Sequence, residues 1–402
     1  MRQTVKIESL DHFGRGIAFI DGKITFVDNA LDKEMLQVEI TSSKKKYNLA
    51  KPIKFIEKSK ERVEYSCPYY KVCGGCSIAH FSDEKQEEFK KNKVKNILQR
   101  YTKYEEIKIK KYYKAEDLFY RNKVTLHIKN NKLGFYKEKS QDLVEIKECL
   151  LVDKKINKVI QELNTYLKNT KTKIKEITIR SSLLEIMLLI NGETDPSFIE
   201  MFSKYNLVIN EKEIVNHDYI LDELLGKKFV IRKDSFYQVN KKQVENLYQI
   251  AIDYVKSKKY NTILDLYCGT GTIGILLSDY VKKVIGIEIN PRSIESANEN
   301  KEKNQVKNIS FLQGKAEQQI DKIKEKIDLI VVDPPRSGLE DHVITMIKKS
   351  LPKAIIYISC DPMTLARDIE KLRENYNLKE VSVVDMFKNT YHCETVCVLE
   401  RK

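Results

Sequence analysis

The sequence lacks any long apolar run. No stretch of about 18 consecutive apolar residues occurs, the length that a membrane-spanning helix needs. The first six residues, Met-Arg-Gln-Thr-Val-Lys, lack the apolar region of a signal peptide, and no repeat or low-complexity tract follows. Tryptophan is also absent, which excludes nothing. These absences predict a soluble, cytosolic protein without membrane contact, which we expect to be a monomer.

The eight cysteines do not predict disulfides, because disulfides are rare in the cytosol. They fall into two groups instead. The first half of the chain contains Cys67, Cys73, Cys76 and Cys149, and the last third contains Cys268, Cys360, Cys393 and Cys397. The two groups therefore need separate explanations.

Length and charge narrow the class of protein. A chain of 402 residues is long enough for about two or three domains, and 42% hydrophobic residues suffice for proper cores. Lysine and arginine number 72 against 58 acidic residues, a net charge of +14 with a pI near 9.1. An excess of this size favours a polyanionic partner, and nucleic acid is the usual one.

The N-terminal region, residues 1–58, alternates polar and apolar residues in short runs separated by turn residues. Asp21-Gly22 between two such runs predicts a hairpin, and further strands are expected at 35–41 and 47–56. Several short strands in this length favour a small β-barrel. Five lysines give this region a basic edge, although a solvated strand rim would have the same composition. These lysines are Lys44, Lys45, Lys46, Lys51 and Lys54.

A central region, residues 59–235, mixes strands and helices. A helix is expected over 83–101, with Asp83 and Gln86 as a capping box. Its apolar face is expected to contain Phe89, Ile97, Leu98 and Tyr101. Residues 85–114 carry eleven lysines or arginines against four glutamates, with four tyrosines between them. This mixture suits RNA, although a solvated helix face produces the same composition.

The C-terminal region, residues 236–402, changes to strands that alternate with helices. Apolar strand cores occur at 262–266, 284–289, 327–332, 354–359, 381–385 and 393–399. This alternation predicts an α/β fold with a doubly wound, mainly parallel sheet. Ligands of such sheets bind at the carboxyl ends of the strands, where the distinctive residues of this chain fall.

A glycine-rich loop follows the first of these strands. Gly269 and Gly271 would let the backbone approach a ligand, and Gly274 would allow close packing of helix on sheet. Glu288 ends the next strand, where an acidic residue binds ribose hydroxyls in both NAD and S-adenosylmethionine (SAM) proteins. Asp265 before the loop and the segment 333–336 (Asp-Pro-Pro-Arg) favour SAM.

Cys360 lies where a strand ends and a helix is about to begin, a position that should favour the thiolate. Glu394 lies near the start of the final strand and could reach the same edge of the sheet as Cys360. Methylation at uracil C5 needs this pair. A thiolate adds to C6 to activate C5, and a base then removes the C5 proton so that the thiolate can leave. Taken alone, Cys360 is more simply interpreted as an inert buried cysteine and Glu394 as a surface glutamate.

Four segments together closely resemble the RNA uracil-C5 methyltransferase family over essentially the whole chain. They are 236–240 (Phe-Tyr-Gln-Val-Asn), 333–338 (Asp-Pro-Pro-Arg-Ser-Gly), 359–368 (Ser-Cys-Asp-Pro-Met-Thr-Leu-Ala-Arg-Asp) and 392–396 (His-Cys-Glu-Thr-Val). The resemblance implies a C-terminal class I SAM-dependent domain, Cys360 as nucleophile and Glu394 as base. It places SAM contacts at Gln238, Tyr267, Glu288 and Asp333. This chain differs from several family members at Thr272 and Lys315, where those members have asparagine.

The same resemblance implies two further features. Residues 1–58 look like a TRAM domain, a small RNA-binding barrel. The cysteines at 67, 73, 76 and 149 look like the family's [4Fe–4S] site, although four thiolates could also hold zinc. TRAM domain and cluster together are the architecture of members that act on 23S ribosomal RNA, whereas members that act on the tRNA T-loop commonly lack both.

Two rival functions differ in class. An RNA or DNA amino-group methyltransferase would also use an Asp-Pro-Pro segment, but it would leave Cys360 and Glu394 without a role. A non-catalytic RNA-binding assembly factor that retains the fold would not need an intact glycine loop, Asp333, Cys360 and Glu394 together. The sequence therefore predicts methylation of uridine C5 in 23S ribosomal RNA, with the tRNA T-loop as the alternative substrate.

Overall fold

The computed structural model describes residues 2–115, 118–138 and 140–402. These residues form two compact units. Unit 1 contains 1–93, 136–144 and 387–392, and unit 2 contains 94–135, 145–386 and 393–402. No helix within the described part of the chain is both long and apolar enough to cross a membrane.

Unit 1 begins with a six-stranded sheet. Its strands are β1 (Arg2–Lys6), β2 (Ser9–Leu10), β3 (Gly16–Ile20), β4 (Lys23–Val27), β5 (Met35–Ser43) and β6 (Tyr47–Glu57), in the order β1-β5-β6-β4-β3-β2. The predicted hairpin is confirmed: β3 pairs antiparallel with β4, and Asp21 and Gly22 both have positive φ, as a tight primed turn requires. The closed barrel stays a prediction.

The first helix, α1 (Asp83–Tyr101), has the predicted bounds but a different cap. The Ser82 hydroxyl accepts the N–H of Lys85 at 3.1 Å, and the Gln86 side chain donates to the carbonyl of Phe81 instead of closing a capping box with Asp83. Phe89, Ile97 and Leu98 are buried as expected. Tyr101 was expected on the same face but is 46% exposed, because it is the last residue of the helix.

A second sheet follows in the central region. The elements of this region after α1 are β7 (Lys111–Tyr113), β8 (Lys123–Lys129), β9 (Lys132–Tyr136), β10 (Leu143–Glu145), α2 (Lys154–Asn169), β11 (Lys173–Ser181), β12 (Ile186–Glu193), α3 (Pro196–Phe202), β13 (Asn206–Ile209), β14 (Glu213–Val215), β15 (Tyr219–Leu224) and β16 (Lys227–Arg232). Seven strands form the sheet, in the order β10-β9-β8-β11-β12-β13-β14, and β15 pairs with β16 alone. Helix α2 buries an apolar face that includes Ile156, Val159 and Ile160.

The remaining elements alternate strand and helix, as predicted. They are α4 (Lys241–Lys256), β17 (Thr262–Leu266), α5 (Thr272–Leu277), β18 (Lys283–Glu288), α6 (Pro291–Lys303), β19 (Ile309–Gln313), α7 (Ala316–Gln319), β20 (Leu329–Val332), α8 (Asp341–Ser350), β21 (Ala354–Ser359), α9 (Pro362–Leu372), β22 (Tyr376–Val384) and β23 (Glu394–Arg401). Single 3₁₀ turns occur at Ser278–Tyr280 and Ile320–Lys322.

The C-terminal sheet has the order β19-β18-β17-β20-β21-β23-β22-β7. The five strands from β19 to β21 are parallel, and β23 runs antiparallel to both of its neighbours. The chain proceeds from β17 to one side and from β20 to the other, so the order reverses between these two strands. Such a reversal opens a crevice at the carboxyl ends of the strands. The predicted doubly wound, mainly parallel sheet is confirmed.

Candidate active site

The glycine-rich loop connects β17 to α5 with three residues at positive φ: Tyr267 (63°), Gly269 (54°) and Gly271 (77°). A Cβ atom at Gly271 would lie only 2.6 Å from the ring of Phe311, so this position needs glycine. A Cβ at Gly274 would lie 2.9 Å from Ile309, which shows the expected close packing of α5 on the sheet. The loop therefore places backbone atoms at the carboxyl end of β17, on the edge of the sheet that we call the rim.

Glu288 is tied to this loop. One carboxylate oxygen accepts the N–H of Gly269 at 3.1 Å, and the other accepts the N–H of Asn290 at 2.8 Å. Two backbone donors therefore fix the carboxylate at the end of β18, next to the glycine loop. A carboxylate held in this way keeps lone pairs that can accept further hydrogen bonds.

Two further carboxylates line the switch point. Burial raises the pKa of Asp265 to about 8, although its side chain accepts the N–H of Gly274 at 3.0 Å. Burial likewise raises the pKa of Asp333, which directly follows β20, to about 7. Each carboxylate is a site that a positively charged ligand would stabilise in its ionised form.

Tyr267 and Gln238 complete the set that the family resemblance assigns to SAM. The Tyr267 hydroxyl is buried and makes no hydrogen bond to any described residue. Such an unpartnered polar atom is costly unless a ligand completes it. Gln238 is buried, and its carbonyl accepts the side chain of Asn122 at 3.1 Å. Asn122 carried no motif in the sequence, so its contact with the 236–240 segment could only be seen in the structure.

Cys360 and Glu394 lie side by side. β21 pairs antiparallel with β23 so that Ser359 is opposite Thr395, and the next residues along these strands are Cys360 and Glu394. Glu394 is only 4% exposed, and burial raises its pKa well above the usual value, with a further contribution from Asp333. The two residues proposed from sequence therefore occupy the same rim as Asp333.

The structure does not favour a thiolate at Cys360, contrary to the expectation from the sequence. Burial and the neighbouring Glu394 raise the pKa of the Cys360 thiol to about 11, against a lowering contribution from Arg336, which hydrogen-bonds to it. The helix start does not help the sulfur, because Asp361 caps α9 itself and accepts the N–H groups of Met363 and Thr364. The sequence pattern correctly located a helix N-terminus, but a carboxylate already occupies its donors.

Asp368 holds a loop of the site in place, a role that was not predicted from the sequence. One of its oxygens accepts the Leu339 N–H and the Tyr357 hydroxyl, each at 2.7 Å, and the other accepts Arg367 at 2.8 Å. A Cβ on Gly338 would lie 2.5 Å from this carboxylate. Asp368 thus holds the 333–339 loop, which carries Arg336. The available signal was an acidic residue on the apolar face of α9, where burial demands partners.

Four cysteines outside this rim were expected to bind a cluster. Cys67, Cys73 and Cys76 are half-buried in unit 1, Cys149 is half-buried in unit 2, and no disulfide joins any of the eight cysteines. The Gly75 N–H donates to the sulfur of Cys73, whose pKa is raised mainly by burial. Within 2–115, 118–138 and 140–402, no three metal-ligating side chains are gathered into a metal site.

The fold and this rim define a class I SAM-dependent methyltransferase. Residues 204–402 match the tRNA (uracil-5-)-methyltransferase family, and residues 1–53 match the TRAM domain. An uncharacterized RNA methyltransferase of Clostridium acetobutylicum is 35% identical over 99% of this chain and 96% of its own length. A counterpart from Staphylococcus aureus is 34% identical over 100% of this chain and 98% of its own length. The chain belongs to the tRNA (uracil-5-)-methyltransferase family and carries an N-terminal TRAM domain.

A solved structure supports the same conclusion. The Pyrococcus abyssi tRNA (uracil-54, C5)-methyltransferase in complex with S-adenosyl-L-homocysteine superposes with a TM-score of 0.80 at 25% identity, covering 99% of this chain and 100% of that one. The predicted SAM-dependent RNA methyltransferase class, its RNA substrate and the N-terminal TRAM domain are therefore confirmed.

Proposed function

We propose that this protein methylates C5 of a uridine in 23S ribosomal RNA, with Cys360 as nucleophile and Glu394 as base. The observation that carries the proposal is the adjacency of these two side chains on paired strands, at the rim that also holds Asp333 and the glycine loop. Neither an amino-group methyltransferase nor an RNA-binding assembly factor needs a thiol beside a buried carboxylate.

The residues act in a fixed order. The Cys360 thiol loses its proton to water, and its sulfur, stabilised by Arg336, adds to uracil C6. The electron pair moves to C5 and O4 as an enolate. SAM, when bound, would supply the methyl group from its electrophilic sulfonium to C5, and S-adenosylhomocysteine would be the leaving group. Glu394 then accepts the C5 proton, the C5–C6 double bond re-forms, and the Cys360 thiolate leaves. One proton is released per methyl group transferred.

Tritium release tests the reaction class. RNA labelled with tritium at uridine C5 should release tritium to water in step with methyl transfer, because only C5 methylation expels that hydrogen. Methyl transfer to RNA without tritium release would show amino-group methylation, and the absence of both would favour a non-catalytic role. Transcripts of 23S ribosomal RNA and of tRNA, assayed side by side, identify the substrate.

Two observations bear on the choice of substrate. The TRAM domain at 1–53 supports the ribosomal branch, because family members acting on the tRNA T-loop commonly lack it. The likeness over almost the whole chain to the Pyrococcus abyssi tRNA (uracil-54, C5)-methyltransferase favours tRNA as the second candidate. Tritium release from tRNA transcripts alone would reverse our preference.

SAM affinity should increase with pH. We infer that SAM lies against Asp333 and the glycine loop, so that its positive charge favours ionised carboxylates. Because burial raises the pKa of Asp333 to about 7 and that of Asp265 to about 8, both carboxylates are largely neutral in acid. Binding then requires proton release. We expect affinity to rise about tenfold as pH increases from about 6 to about 8.

Isothermal titration in buffers of different ionisation enthalpy measures the released protons directly. Asp333→Asn should bind SAM more weakly and show a flatter pH profile. If the affinity is constant over this pH range and no proton is released, SAM does not bind next to these carboxylates.

We propose that Cys67, Cys73, Cys76 and Cys149 hold a [4Fe–4S] cluster. Thiolates are the ligands that such clusters use, and the N–H bond from Gly75 to the Cys73 sulfur is the kind of contact that stabilises them. Cys73 also lies close enough to Cys67 for the two thiols to influence each other. When bound, the cluster would crosslink parts of the chain that are distant in sequence and would position RNA. We expect it to take no part in methyl transfer, because SAM has its own binding residues.

Anaerobically purified protein should therefore be brown and contain about four irons per chain. Replacing any one of the four cysteines with serine should lower iron content and thermal stability while SAM affinity changes little. Cys268→Ser, outside this group, should keep its iron. Colourless protein with one zinc per chain would show a zinc site instead.

A further inference from the structure

Two adjacent leucines at the tip of a hairpin in unit 2 are exposed to solvent. Strands β11 and β12 pair as far as Ser181 and Ile186, and residues 182–185 form the loop between them. Leu183 is 56% exposed and Leu184 is 87% exposed, the highest value for a large apolar side chain in the described part of the chain. Such loops are usually built from Gly, Pro, Asn, Asp or Ser, so a pair of leucines here is unusual. We call Leu183 and Leu184 the leucine tip.

The loop that carries the leucine tip is held by hydrogen bonds. The N–H of Ser182 donates to the carbonyl of Glu185 at 2.9 Å, and the Ser182 hydroxyl accepts the N–H of Glu185 at 3.1 Å. The Lys155 ammonium donates to the carbonyl of Ser182 at 2.9 Å and to that of Leu183. The Glu185 carboxylate accepts the N–H of Leu221 at 2.6 Å. These bonds use no leucine side chain, so the backbone of the loop is fixed while both leucine side chains face solvent.

The base of the hairpin is bonded to the segment 235–239. The Arg180 guanidinium donates to the carbonyl of Ser235 at 2.8 Å. The backbone of Asn122 forms a bridge, because its carbonyl accepts the N–H of Ser181 at 2.8 Å and its N–H donates to the carbonyl of Val239 at 2.9 Å. Both ends of the segment are therefore tied to the end of β11. The segment includes the glutamine that we propose as a SAM contact.

The same segment leads to the rim. Asn240, the next residue, donates through its side chain to the carbonyl of Met386 at 3.3 Å, just after β22, the strand that pairs with β23. Burial raises the pKa of Tyr248 in α4 well above its usual value, and the nearby carboxylates of Asp333 and Glu394 raise it further. The leucine tip and the rim are thus connected through one short segment and the helix that follows it.

Phe236 adds a third exposed apolar side chain to this part of unit 2. It is 72% exposed and directly follows Ser235, whose carbonyl accepts the Arg180 bond. Exposed apolar surface of this kind marks an interaction site. The faces of unpaired RNA bases stack on aromatic rings, and apolar side chains enter opened base steps of nucleic acids. Because the chain belongs to a family of RNA methyltransferases, RNA is the partner that this surface fits.

We propose that Leu183 and Leu184 enter the base stack of the RNA beside the target uridine and fill the step that the uridine leaves. The inference rests on the proposed function, because methylation at C5 requires the uridine to leave its stack. Unstacking a base is costly, and an apolar side chain in the opened step replaces part of the lost contact. A loop that is already fixed loses little conformational freedom when it inserts. Both leucines position the RNA, and the methyl transfer itself does not involve them.

The test removes the apolar side chains and keeps the loop, in the full-length protein. L183S/L184S should fold, because the bonds that hold the loop are made by the backbone and by other side chains. I214S/L225S is the matched control, since it removes two exposed aliphatic side chains from the same unit, in β14 and in the turn from β15 to β16. L183M/L184M keeps an apolar tip. Thermal unfolding checks that all three variants are folded.

The substrates are two forms of one RNA segment, taken from the transcript that releases tritium with the wild type. One form is intact, and in the other the nucleotide 3′ of the target uridine is abasic, which removes a stacking partner. L183S/L184S should lower kcat/KM about tenfold on the intact segment but less than about threefold on the abasic one, because an already broken stack needs no wedge. I214S/L225S and L183M/L184M should stay within about twofold of the wild type on both RNAs.

Equal losses with the two RNAs would show a general defect of the variant and would overturn the proposal. Unchanged kinetics of L183S/L184S on the intact segment would overturn it as well. If the wild type but not this variant then self-associates in sedimentation velocity, the leucine tip is a contact between copies of the chain. The proposed function fails differently: wild-type protein would release no tritium from either transcript, and the inference would fail with it.

Discussion

Cys360→Ala should abolish methyl transfer, with a loss in kcat of at least about 10⁴-fold. Without the sulfur nothing adds to uracil C6, so C5 never becomes nucleophilic. No covalent protein–RNA adduct should form on a denaturing gel with any RNA. SAM affinity should remain near that of the wild type, because Cys360 lies on the β21–β23 side of the rim and the glycine loop follows β17.

Two comparisons sharpen this experiment. Cys360→Ser keeps the shape of the side chain and should be almost as inactive, because a hydroxyl is a far weaker nucleophile. Met363→Ala, in the first turn of α9 and exposed, should stay active. Because burial raises the pKa of Cys360 to about 11, wild-type kcat/KM should also rise as pH increases through the neutral range. An active Cys360→Ala variant would disprove the nucleophile.

Glu394→Gln should stop the reaction one step later. The amide cannot accept the C5 proton, so attack and methyl transfer proceed but elimination stalls. Turnover should fall by about 10²- to 10⁴-fold, the usual contribution of a general base. The RNA should remain bonded to Cys360 as a slow band on a denaturing gel, formed only when SAM is present.

The same substitution should not unfold the protein. Burial raises the pKa of Glu394, so ionisation of the folded protein near and above neutral pH is unfavourable, and a neutral amide removes that cost. Thermal stability at about pH 8 should therefore be unchanged or higher. Glu400→Gln, at the other end of β23 and paired with Lys258 at 2.9 Å, is the matched control and should stay active.

The pattern of adducts decides between roles. If both Cys360→Ala and Glu394→Gln are inactive and neither forms an adduct, Cys360 remains the candidate nucleophile and Glu394 orients the uracil instead. If Glu394→Gln forms no adduct while Cys360→Ala stays active, both assigned roles are wrong.

Local sequence patterns were sufficient to predict the secondary-structure elements and most of the residues that the structure brings together at the rim. Alternating apolar strands and amphipathic helices predicted the parallel sheet, because buried strands and helix faces require those periods. The Asp21-Gly22 turn was predictable because positive φ at both positions suits few other residues. The cap of α1 and the exposure of Tyr101 were missed, because both depend on how the helix ends pack.

The sequence by itself determined which residues we propose for the reaction: a cysteine at a strand end, a glutamate at the start of the last strand, and a glycine loop with its acidic partners. Only the tertiary structure decided how they work together. The antiparallel register sets Cys360 beside Glu394, and Asp368 holds the loop that contains Arg336. Both contacts join residues that are far apart in the chain. Burial then set their pKa values, because the cost of charge depends on the surroundings and not on the neighbours in sequence.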